Sequence, residues 1–180
     1  INAIWAIGMS IGVLFMAKTP GYTDPASYLF GNILLISNRD LILMGLLDLI
    51  VIILVVRFYH QLEASSFDPE FAQVKGISSS LVFLVILSVT AIAVVLLQTY
   101  VGIVMVIAML TLPAGTAGYS AKNMAHMMLL AWLYSSLFSV GGLIIGWILD
   151  FPVGATVVVL AGVVFLLASL FSMVKRRLKG

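Results

Sequence analysis

The chain has no cysteine and only two histidines, and charged residues make up 9% of its 180 positions. Without thiols it has neither a disulfide framework nor a thiolate metal site. A resident tetrahedral zinc site needs N or S ligands, which are equally scarce. The shortage of charge excludes an ordinary water-soluble domain. Such domains carry about 25% charged and 45–50% apolar residues, whereas 63% of this chain is hydrophobic. A surface of that composition cannot be solvated. Alternation of polar and apolar residues, the mark of a transmembrane strand of about ten residues, is also missing.

What is present is a series of apolar runs, near 1–17, 40–59, 78–98, 101–118, 124–149 and 154–174. Most reach the roughly 20 residues that a helix needs to cross the hydrocarbon of a bilayer. Backbone polar groups in lipid must be satisfied within each span, which leaves helices. The expected fold is all-α and polytopic, about six transmembrane helices in a single domain covering 1–180. Placing Lys175, Arg176, Arg177 and Lys179 in the cytoplasm, with alternating spans, puts Arg57, Lys75 and Lys122 on the same side and leaves only Lys18 and Arg39 outside. That is the bias of the positive-inside rule, so the C-terminus is expected to be cytoplasmic. The terminal basic cluster reads as a topology anchor at the lipid surface rather than as a nucleic-acid site. Function is therefore to be sought in transport, a channel or membrane-embedded chemistry.

The chain opens at Ile1-Asn2-Ala3-Ile4-Trp5, directly in an apolar segment and without the charged n-region of a signal peptide, as expected of the C-terminal portion of a longer chain. Lys18-Thr19-Pro20-Gly21 reads as a turn. The apolar piece 27–35 is too short to cross and is expected to be a re-entrant or interfacial short helix on the outside. Ser37-Asn38-Arg39-Asp40 should cap the second span, which should end at the interfacial edge Arg57-Phe58-Tyr59-His60. Gln98-Thr99-Tyr100 joins the third and fourth spans in a tight hairpin. Gly142 and Gly146, four apart, permit close helix contact. Asp150-Phe151-Pro152-Val153-Gly154 makes the last external turn.

The most polar stretch is 60–80. Asp68 is placed as the N-cap of a short helix from Pro69 to Lys75, with Glu70 near its positive end and Gly76 closing it. Phe71 and Val74 give that helix a small apolar face. On the residues alone the segment reads equally as a surface loop or as a docking helix for a cytoplasmic partner. Within the membrane, Asp48 is the only acid inside an apolar run. Ionisable groups at that depth face the bundle interior or a watery path, and a carboxylate supplies a hard oxygen ligand for a passing divalent cation. The competing role is a buried acid paired with a hydroxyl or backbone group, favoured by the lack of a second acid or histidine one turn away. Pro113 deprives the carbonyl of Met109 of its partner and should kink or break the fourth span. Gly115, Thr116 and Gly118 follow it and favour an accessible, path-lining backbone over a simple kink satisfied by the hydroxyls of Thr111 or Thr116. His60 and His126 fall at span ends, as interfacial groups rather than ligands, and the methionines, Met105, Met109, Met124, Met127 and Met128 among them, suit packing.

Several segments, in order, resemble the permeases of ABC importers, specifically the zinc/manganese metal-ion branch. Phe67-Asp68-Pro69-Glu70-Phe71-Ala72-Gln73-Val74-Lys75-Gly76 resembles the coupling loop. Tyr28-Leu29-Phe30-Gly31 is similar to the family's extracellular Leu-Phe-Gly segment. The run from Val101 to Ala117, ending Pro113-Ala114-Gly115-Thr116-Ala117, is similar to its Pro-Ala-x-Thr-Ala signature. Phe151-Pro152-Val153-Gly154-Ala155 resembles its entry to the last helix. The resemblance implies a bacterial inner-membrane permease subunit that pairs with itself, couples to a cytoplasmic ATP-binding subunit and receives Zn²⁺, Mn²⁺ or Fe²⁺ from an extracytoplasmic metal-binding protein. Asp68, Glu70, Phe71, Ala72 and Gly76 would then be the ATPase-coupling residues, with Ala72 and Gly76 allowing close approach and Phe71 filling a pocket. Asp48, Pro113 and Thr116 would line the translocation path. No cofactor is expected beyond the transported ion, and no catalytic residue, since the chain has no Walker-type phosphate loop. The family's first helices, with a Ser-His segment near the metal, have no counterpart here. The rival readings are a permease for iron chelates or vitamin B12, in which Pro-His stands in place of Pro-Ala, and a membrane protein with no ATPase partner.

Overall fold

The computed structural model of the protein describes residues 2–17, 29–31 and 36–179. All regular secondary structure among the described residues is helical: α1 (Asn2–Ala17), α2 (Asn38–Phe67), α3 (Pro69–Val74), α4 (Ser79–Val101), α5 (Ile103–Gly118), α6 (Met124–Leu149) and α7 (Val153–Lys179). Four of these contain stretches long and apolar enough to cross a membrane, in α2, α4, α6 and α7. The other two expected spans are shorter: α1 and α5 have 16 residues each, a rise of about 24 Å. The chain forms two compact units, Ile1–Ile33 with Gln98–Gly180, and Leu34–Leu97.

The first unit is a bundle of α1, α5, α6 and α7. Residues four apart on α5, Val104, Ala108 and Leu112, share a core with Ala155, Val158 and Ala161 of α7 and with Ala6 and Val13 of α1. Small residues set the helix spacing. A Cβ on Gly142 would stand 2.6 Å from Val157 Cα, and one on Gly146 3.2 Å from Val153 Cα, so α6 and α7 meet backbone to backbone as the four-residue glycine spacing predicts. Hydroxyls turn back on their own helices, as an apolar surround requires. Ser10 Oγ donates to the Ala6 carbonyl at 2.7 Å and Thr156 Oγ1 to that of Pro152 at 3.0 Å.

Pro113 does not break its helix. α5 runs unbroken through it, and Pro113 is fully buried. Loss of the hydrogen bond and the ring clash cost about 3 kcal/mol in a helix interior, and burial of the ring offsets part of that cost. The hydroxyls expected to satisfy the freed carbonyl go elsewhere: Thr111 Oγ1 donates to Ile107 O and Thr116 Oγ1 to Leu112 O, both at 2.8 Å.

In the second unit, α2 opens with the expected capping box. The Ser37 amide donates to Asp40 Oδ2 at 3.0 Å and Ser37 Oγ accepts from the Arg39 amide at 3.4 Å. The helix then continues past the predicted end at His60 as far as Phe67, bending at Phe58 (φ −116°, ψ 19°). Polarity at Arg57–His60 marks a change of solvent, not of backbone. Gln61, Leu62, Glu63 and Ala64 are good helix formers, and Tyr59 donates to Glu63 one turn on at 3.2 Å. Termination comes at Asp68 because Pro69 forbids the helical conformation to the residue before it; Asp68 sits at φ −144°, ψ 86°.

Candidate functional site

Six residues are too few for a helix to stand alone, yet α3 is closed at both ends. At its start Asp68 Oδ1 accepts from the Phe71 amide at 2.9 Å, and Pro69 occupies the first turn, where its missing N–H costs nothing. At its end Gly76 adopts φ +77°. The Gly76 amide donates to the Gln73 carbonyl and the Ile77 amide to the Ala72 carbonyl, both at 2.9 Å, which is the Schellman pattern. Ser79 Oγ adds a third tie, donating to the Pro69 carbonyl at 3.0 Å. The N-cap and the closing glycine are where the sequence predicts them.

The orientation of α3 divides its residues into a buried and an exposed set. Ala72 is 0% exposed, turned into its own unit where α3 packs on α2 and where Leu62 and Ser65 are also buried. Its small size suits the close seat of α3. The apolar pair faces outward instead: Phe71 is 51% and Val74 88% exposed. Glu70, Gln73, Lys75 and Gly76 are exposed beside them. Lys75 Nζ lies 4.7 Å from the centroid of the Phe71 ring, an attraction worth about 0.5–1 kcal/mol at an exposed site that fixes the ring's attitude. The four-residue spacing of Phe71 and Lys75 could have predicted this contact; the hydroxyl of Ser79 leaves no such local signal.

Asp48 lies exposed on α2 among Leu46, Leu49 and Ile50, which are exposed too. Pro113 and Thr116 belong to the other unit and sit in its packed interior, Thr116 at 2% exposure. Gly115 backs onto Phe165, whose Cε2 would lie 2.9 Å from an added Cβ. Of the residues expected to keep the backbone accessible after Pro113, Thr116 is buried, Gly115 is half-buried and Gly118 is exposed. No group of three or more His, Cys, Asp or Glu side chains able to hold a metal ion occurs among the described residues.

The model of the ABC 3 transport family matches residues 1–172. The chain belongs to this family. A manganese transport system membrane protein, MntC, of Listeria monocytogenes is 32% identical over 173 residues, 96% of this chain and 61% of that protein. A probable metal transport system membrane protein of Chlamydia muridarum is 33% identical over 171 residues, 94% of this chain and 58% of that protein. Among solved structures, PsaBC from Streptococcus pneumoniae in complex with Fab superposes with a TM-score of 0.75 at 27% identity, covering 89% of this chain and 58% of that one. The chain thus spans about three fifths of the length of these relatives.

Proposed function

We propose that this ABC 3 chain is part of the membrane-spanning permease subunit of an ATP-driven importer of divalent metal ions. The observation that carries this reading is α3: a short helix locked at both ends, seated through Ala72, and presenting Phe71 and Val74 to solvent. Exposed apolar side chains on a rigid, polar-rimmed element are the anatomy of a docking site. The partner is a cytoplasmic ATP-binding subunit. Phe71 and Val74 enter its groove, Glu70 and Gly76 flank them, and Asp68 acts indirectly by holding the helix together. Motion of the ATPase is then delivered to α2 through the buried face of α3.

The names of the relatives bring manganese forward as cargo, with zinc and iron(II) of the same class. In this reading the permease works in the bacterial inner membrane with its C-terminus in the cytoplasm, pairs with a second copy and receives the ion from an extracytoplasmic metal-binding protein. Both compact units belong to one permease domain. Asp48 is the path carboxylate, a hard ligand suited to a divalent ion in transit, and the α5 segment from Pro113 to Thr116 borders the path.

The test uses the full-length permease with its ATP-binding subunit. Phe71→Asp places a charge in the docking surface while leaving caps and seat intact. The expected result is loss of ATPase co-purification and of Mn²⁺ uptake, at unchanged abundance in the membrane. Undiminished retention of the ATPase by this variant would refute the assignment.

A further inference from the structure

Four residues, Lys75 to Ser78, separate α3 from α4. Gly76 turns the chain sharply among them at φ +77°, and Ser79, the first residue of α4, comes back to Pro69, the first of α3. Ser79 Oγ donates to the Pro69 carbonyl at 3.0 Å, closing a loop over ten positions of sequence. Ser79 is 3% exposed, so water competes little for either group, and a hydrogen bond shielded in this way is stronger than one at a surface.

Neither helix needs this hydroxyl for its own ladder. The Asp68 carbonyl accepts from the Ala72 amide at the start of α3, and the Ser78 carbonyl from the Val82 amide at the start of α4, both at 3.1 Å. What the hydroxyl adds is a link between the two. On one side α3 is seated against α2 through the buried Ala72; on the other Ser79 ties it to α4. Both α2 and α4 are long and apolar enough to cross a membrane, so α3 joins the ends of two candidate spans.

We propose that Ser79 is a positioning residue of energy coupling, whose hydroxyl fixes α3 to the head of α4 so that a displacement of α3 reaches α4 as well as α2. The proposal rests on the docking of an ATP-binding subunit to α3. The bond that carries it lies wholly within one compact unit, Leu34–Leu97. A second serine supplies a matched control. Ser65 Oγ, buried on α2, meets no hydrogen-bond partner, so Ser65→Ala deletes the same atom without breaking a bond, a change close to neutral or stabilising.

The test takes the full-length permease in two steps. In nanodiscs without the ATP-binding subunit, Ser79→Ala should speed amide exchange in α3 about three- to tenfold, the effect of one lost hydrogen bond. Ser79→Thr, which keeps a hydroxyl, should restore the slow exchange, and Ser65→Ala should leave it unchanged. In vesicles with the subunit and Mn²⁺, Ser79→Ala should still retain the subunit and hydrolyse ATP, yet consume more ATP per Mn²⁺ imported. Ser79→Thr and Ser65→Ala should keep the unsubstituted ratio. If Ser79→Thr is lost from the membrane, the contrast between Ser79→Ala and Ser65→Ala decides. An unchanged ratio in Ser79→Ala overturns the proposal even where exchange has quickened, for the bond is then a structural tie alone. An equal rise in Ser65→Ala overturns it too. Failure of the coupling reading shows separately: undiminished retention of the subunit by Phe71→Asp removes that reading and this proposal together, whereas lost retention there with an unchanged ratio in Ser79→Ala removes this proposal alone.

Discussion

Because α3 is too short to persist by itself, its order should depend strongly on its two end caps, and the double variant Asp68→Ala, Gly76→Ala weakens both. Loss of an N-cap side chain costs about 1 kcal/mol; at Asp68 it orphans the Phe71 amide now bound at 2.9 Å. A side chain forced into left-handed backbone costs roughly 1–2 kcal/mol, and Gly76 stands at φ +77° with nothing near the position of an added Cβ, so conformation alone sets the penalty. The two positions share no hydrogen-bond partner, so the costs add to about 2–3 kcal/mol. The frayed state of α3 should then rise roughly 30- to 150-fold relative to the docked one. Hydrogen exchange on the full-length permease in nanodiscs measures this directly through the amides of Phe71, Ala72, Gly76 and Ile77. Those amides should lose protection by about that factor, while the amides of α5 and α7 keep theirs. Equal protection at α3 in the variant and the unsubstituted protein would refute the claim that capping holds this helix.

Three further outcomes follow from the packing. Gly142→Ala drives a methyl group into the backbone of α7, 2.6 Å from Val157 Cα and 2.8 Å from its nitrogen, an overpacking cost of about 1–3 kcal/mol; a lower melting temperature of the detergent-solubilised protein checks it. Asp48→Asn keeps size and removes charge, so Mn²⁺ uptake should fall while membrane abundance holds, and unchanged uptake would exclude Asp48 from the path. Asn123→Ala deprives the His126 amide of its cap at 2.8 Å, so the first turn of α6 should lose about 1 kcal/mol and exchange faster by that measure.

The helical, membrane-crossing character of the chain was legible because composition leaves no other way to satisfy the backbone in lipid. Local stop and start signals were equally legible. Ser37 with Asp40, Asp68 with Pro69, and Gly76 all act through atoms within a few residues of themselves. The far end of α2 was not, since charge at Arg57–His60 reports the edge of the lipid, whereas the helix runs on until Pro69 stops it. The inward turn of Ala72 escaped prediction for a different reason. Six residues make too few turns for an apolar period to declare a face, and alanine fits either side. Pro113 shows a local rule overridden, for α5 runs unbroken through it and its ring is fully buried. Gly31 and Gly102 pack against each other across positions far apart in sequence, and no spacing announces it.

Under the proposed coupling, α3 hands motion from an ATPase to the membrane through its exposed apolar side chains, and Val74→Asp is the decisive variant, since Val74 is 88% exposed. In vesicles holding the full permease and its ATP-binding subunit, the variant should reach normal abundance, show unchanged exchange protection in α3, and lose ATP-driven Mn²⁺ uptake. Uptake at the unsubstituted rate, with the aspartate in place and α3 intact, would contradict the account.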